Sequence, residues 1–110
     1  MAYLKANEQT IRINVLDAES KNLIQKDFSI YLGERQGGFS YHQSLQGGTG
    51  LVTQSYITAS ATVTYSLSAE QVAAFGYDIN SLTGNVISAG TDESGMPYLP
   101  WVVNFYLRKI

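Results

Sequence analysis

Residues 10–17 read TIRINVLD, with Ile11, Ile13 and Val15 on one parity and Arg12 and Asn14 on the other. That alternation is the period of a strand that buries one face. A second run, LIQKDFSIYLGE, sets Phe28, Ile30 and Leu32 on one face, and the polar AESKN between the runs makes the pair a predicted hairpin. Residues 33–50 hold Gly37-Gly38 and Gly47-Gly48 around FSYHQSL and read mainly as loop, with at most one short strand. Alternation returns in QSYITASATVTYSL through Ile57, Ala59, Ala61, Val63 and Tyr65. It returns again in WVVNFYLRKI, where Trp101, Val103, Phe105 and Leu107 share a face opposite Val102, Asn104, Tyr106 and Arg108. Pro97 and Pro100 precede that run and leave its ladder intact. Between Tyr77 and Pro100 turn formers divide the chain, and NVIS is the one predicted strand.

One stretch breaks the strand pattern. In SLSAEQVAAFGYDI, Ser68 is an N-cap residue with Gln71 three positions on, the spacing of a capping box, and Glu70 suits the positive end of a helix. Val72 and Phe75 recur at i, i+3, and Gly76 supplies the stop. Strands around one short helix predict an α+β fold with a β-grasp-like mixed sheet, the helix laying Val72 and Phe75 against Ile13, Val15, Val103 and Phe105. The alternative is a β-sandwich with the helix as a connection.

Composition narrows the function classes. The 110 residues make one domain, 1–110, with a single core and no linker. The absence of cysteine removes disulfides, zinc–thiolate sites and thiol nucleophiles together. A net charge of −2 without a basic cluster argues against nucleic acid. No run approaches the roughly 20 apolar residues of a membrane span, and MAYLKANEQT lacks the apolar segment of a signal peptide. Charged residues are only 15 %, while Gly, Ser, Thr, Gln, Asn and Tyr abound, a balance typical of extracellular β-domains.

Candidate chemistry is sparse, and no cofactor or catalytic set is expected. His42 is the one histidine, which rules out a histidine pair for a metal and reads as a solvated side chain rather than a base. QGGTG is followed by Leu51 and Val52 where a phosphate-binding loop needs Lys and Ser or Thr. Asp17 with Glu19, and Asp92 with Glu93, lack the calcium-loop spacing and read as turn residues. Tyrosine is the unusual residue. Eight of them exceed what one small core can satisfy, so several must stand at the surface, where a ring and hydroxyl suit stacking on sugars. Loop tyrosines are the better candidates. FSYHQSLQ gathers Tyr41, His42, Gln43 and Gln46, and MPYLPW holds Tyr98 between two prolines that limit its ordering cost.

Several segments together resemble the mucin-binding repeat domains of Gram-positive bacterial surface adhesins. LSAEQVAAFGYDINS looks like the family's short helix closed by Gly-Tyr, GTDESG like its acidic turn, VNFYLRK like its closing strand, and IRINVLDAESKNLI like its opening strand and turn. The resemblance implies a non-enzymatic adhesion module that binds host mucin glycans or glycoproteins. It further implies an extracellular, cell-surface location, within a larger wall-anchored protein whose neighbouring domains are partners. A spacer domain of a surface stalk is the second reading, and a small phage or cytosolic protein the third.

Overall fold

The computed structural model describes residues 8–32, 41–55, 62–91 and 93–110. The alternating run at the start forms β1 (Glu8–Asp17), with Ile11, Ile13 and Val15 fully buried. Each such side chain contributes about 1.5–3 kcal/mol when withdrawn from water. β1 pairs antiparallel with β4 (Thr49–Ser55) and parallel with β10 (Val102–Lys109), and β10 pairs antiparallel with β6 (Tyr77–Thr83). The order is β4-β1-β10-β6, and the register sets Ile13 beside Val103 and Val15 beside Phe105. A second sheet has the order β3-β2-β5-β7, from β3 (Tyr41–Leu45), β2 (Phe28–Leu32), β5 (Thr62–Leu67) and β7 (Val86–Ser88). The inner faces of the two sheets share one core, joined where the Tyr65 and Phe105 rings lie 6.1 Å apart. A two-stranded ribbon, β8 (Gly90–Thr91) with β9 (Pro97–Tyr98), stands apart from both. Among the described residues the fold is α+β with a mixed larger sheet and one short helix, in two sandwich-like layers.

The predicted β1–β2 hairpin is not formed, because β1 is central in its sheet. Both of its edges are taken, by β4 and β10, so the return run meets it only at the Leu16–Leu23 bridge and then enters the other sheet. Of the glycine-rich stretch 33–50, residues 33–40 lie outside the described residues, and the one short strand allowed there is β3. Residues 41–45 are strand, and Gly47 and Gly48, at φ of 67° and 82°, make the tight turn that carries the chain from the second sheet to the first. A Cβ on Gly48 would lie 2.2 Å from the Ile24 carbonyl oxygen, so the turn packs too closely for any side chain. Ile57, Ala59 and Ala61 of the next predicted run lie outside the described residues, whereas Val63 and Tyr65 lie in β5.

The helix runs between the expected cap and stop: α1 spans Ala69–Ala74, followed by Phe75 and by Gly76 at φ of 88°. Ser68 caps it as expected, its Oγ accepting the Gln71 N–H at 3.2 Å. The Gln71 carboxamide reaches out to the neighbouring sheet, its Oε1 accepting the Ser29 N–H at 2.6 Å. Val72 is buried, but Phe75 is only half-buried and meets Phe28 edge-on, with centroids 5.2 Å apart. The helix therefore sits against β2 and β6, with Phe75 on Phe28, while Val72 joins Ile13, Val15, Val103 and Phe105 in one buried cluster. Beyond Gly76 residues 77–83 form the continuous edge strand β6, which was not expected, and short pieces follow, with NVIS forming β7.

Candidate binding cleft

The core parity of β1 extends one step beyond its apolar residues, to Gln9, which is buried. A buried carboxamide needs partners for both its ends. Gln9 finds them on one residue. Its Nε2 donates to the Leu99 carbonyl at 2.6 Å, and the Leu99 N–H donates to its Oε1 at 2.9 Å. The side chain thus closes on the main chain of Leu99 at two points, as a neighbouring strand would. Leu99 itself is fully buried, and the Arg12 N–H donates to the Trp101 carbonyl at 2.9 Å. Tyr98 is held on its other side by pairing with Gly90 in the β8–β9 ribbon.

With Leu99 inward, its neighbours turn outward: Tyr98 is 44 % and Trp101 67 % exposed. They line a cleft of about 460 Å³ together with Thr91 and Glu93. The Tyr98 ring rests on the bare backbone of Gly90, where an added Cβ would lie 3.2 Å from Cζ. The ring is therefore placed before any ligand arrives, which lowers the ordering cost of binding. Two aromatic surfaces, two hydroxyls and a carboxylate suit a ligand with apolar C–H faces and polar edges.

The sequence candidates separate. Tyr98 lines the cleft, and Gln43 and Gln46 do not. Gln43 donates from Nε2 to the Leu51 carbonyl, tying the edge of one sheet to the edge of the other. Gln46 lies exposed in the β3–β4 turn. Tyr41 and His42 open β3 opposite Leu32 and Tyr31, so they stand on a strand rather than in a loop, and their side chains lie outside the described residues. Trp101 was expected to share the inner face of Val103. Instead the chain bends at Trp101, and the inward place is filled by Leu99. Thr91 and Glu93 carry no sequence signal beyond their place in an acidic turn. Gln9 carried a faint one, as a polar residue at core parity.

At its far end β1 ends in a second buried polar side chain, Asp17. Its Oδ1 accepts the Glu19 and Ser20 N–H groups at 2.8 and 3.1 Å, and its Oδ2 accepts the Tyr77 hydroxyl at 2.9 Å. Those backbone N–H groups, with the Tyr77 hydroxyl, hold the carboxyl below its usual pKa. Burial, followed by the Asp17 carboxylate, pushes the Tyr77 phenol up. Asp17 is thus the turn residue its sequence suggests. The tyrosines divide accordingly: Tyr65 and Tyr77 are buried, Tyr106 lies under the Lys21 ammonium at 4.9 Å, and Tyr98 faces the cleft.

A chain of paired polar side chains crosses the outer face of the larger sheet, beside the exposed Leu51 and Val102. Arg12 Nη1 donates to Thr49 Oγ1 at 3.0 Å, Thr49 Oγ1 donates to Asn14 Oδ1 at 2.6 Å, and Asn14 Nδ2 donates to Asn104 Oδ1 at 3.0 Å. Such a ladder links three strands. Among the described residues no group of three metal-ligating side chains occurs. Comparison with protein-family models, with curated proteins and with solved structures finds no match to this chain. The geometry of the cleft therefore carries the functional reading.

Proposed function

We propose that this chain is a non-enzymatic adhesion module of a bacterial surface protein, and that it binds host mucin glycans or glycoproteins in the Tyr98–Trp101 cleft. The observation that supports it is the pair of exposed rings held on a braced main chain, with Thr91 and Glu93 beside them. Sugar rings present C–H faces for stacking and hydroxyls for hydrogen bonds, and the cleft offers both kinds of contact. Single sites of this size bind sugars weakly, at about millimolar Kd, and adhesion comes from many copies in parallel. The location follows as extracellular, within a larger wall-anchored protein.

One observation favours the spacer reading. β1 and β10 are parallel neighbours, so β1 enters at one end of the sheet and β10 leaves at the other. Tension along the chain would shear that pair along its whole register.

Retention on immobilised mucin separates the two readings. The parent chain is retained, and Tyr98→Ala and Trp101→Ala each reduce retention without moving the unfolding midpoint. Tyr41→Ala leaves it unchanged if the cleft alone binds. A parent that passes through unretained leaves the spacer reading.

A further inference from the structure

The cleft is uneven in charge. Its described lining holds two aromatic rings, two hydroxyls, of Thr91 and Tyr98, and one carboxylate, Glu93, with no cation among them. Basic side chains with described partners are engaged elsewhere. Arg12 donates to Thr49, Lys21 lies over Tyr106 and Lys26 over Phe75. A carboxylate accepts hydrogen bonds from sugar hydroxyls or from an acetamido N–H, and a charged acceptor makes the stronger bond. A sialic acid carboxylate or a sulfate ester would instead bring a second negative charge into the same space, with no cation in the described lining to offset it.

Resting on the glycan-binding reading, we infer that the cleft takes an uncharged pyranose, a hexose or an N-acetylhexosamine, and rejects sialylated and sulfated ends. Stacking on Tyr98 and Trp101 supplies attraction that any sugar shares, whereas Glu93 supplies the discrimination. The volume of about 460 Å³ lies toward the small end of ligand pockets and fits a short saccharide rather than a long chain.

The test uses immobilised N-acetyllactosamine, its 3′-sialyl form and its 6-sulfo form, with the full chain and Glu93→Gln in solution. The parent binds the neutral sugar at least roughly tenfold better than either anionic one, the size expected for like charges a few ångströms apart at a partly solvated site. Raising salt to about 1 M, where the Debye length falls to about 3 Å, narrows that gap. Glu93→Gln keeps an acceptor, removes the charge and narrows the gap at low salt. Equal or better binding of the sialylated or sulfated sugar overturns the charge selection while leaving the glycan-binding reading in place. Absence of binding to all three overturns both.

Discussion

The two ends of β1 solve the same problem with different chemistry. Each ends in a buried polar side chain on the core face, Gln9 at one end and Asp17 at the other. Gln9 is neutral, and it fastens a segment 90 residues away in sequence, whose outward rings form the cleft. Asp17 is charged, and it fastens its own turn and the first residue of β6. The Gln9 brace contains nothing that titrates, whereas the Asp17 cluster contains two groups that do. The difference implies that acid or base acts on stability through one end and leaves the brace beneath the cleft unaltered.

The largest effect is expected from breaking the neutral end. Gln9→Leu keeps the volume and leaves the buried Leu99 N–H and carbonyl without their partner. It costs about 2 kcal/mol by denaturant unfolding, and mucin retention falls because Tyr98 and Trp101 lose their common anchor. An unchanged midpoint would mean that water or a shifted main chain replaces the amide.

A smaller loss is expected at the charged end, where Tyr77→Phe removes one donor and Asp17 keeps its two backbone N–H groups. The pH dependence has a definite sign. Asp17 has a folded-state pKa below the usual 3.8, so its contribution is present above that value and lost as pH falls through the lowered one. Tyr77 has a folded-state pKa above 10.0, so its contribution is present below that value and lost as pH rises through the raised one. Parent and Tyr77→Phe midpoints should therefore differ across the neutral range and converge as pH falls through the lowered Asp17 pKa or rises through the raised Tyr77 one. A constant difference through acid and base would remove the pair from the account.

The smallest effect should come from Gly90→Ala. The added methyl pushes on the Tyr98 ring, whose atoms already lie 3.2–3.4 Å from that position. Stability moves by no more than about 0.5 kcal/mol, but retention on mucin falls because the ring is displaced. Full retention would show that the position of the Tyr98 ring does not matter.

Parity along β1 and β10 was legible, as were the Ser68 cap and the Gly76 stop, because each depends on residues within a few positions of one another. Strand partners were not. Alternation tells which side chains point inward, but it does not tell which sheet a strand joins, and so β1 and β2 looked like a hairpin. The glycines at 47 and 48 signalled a turn, but not that it crosses between layers. The cleft was half legible. Tyr98 stood out between its prolines, but the exposure of Trp101 follows from Leu99 taking the inward place, and Leu99 is held by Gln9. No local pattern encodes a contact of that range.

Trp101 is the single tryptophan of the chain and lines the cleft, so its fluorescence reports occupancy of the proposed site directly. Titration with neutral mucin oligosaccharides should shift its emission to shorter wavelength with saturation, as a ligand displaces water from a ring that is 67 % exposed in the free chain. The same titration of Tyr98→Ala should need a higher concentration to reach the same shift. Retention on mucin without any change in Trp101 emission would place binding elsewhere on the molecule and contradict the assignment of the cleft.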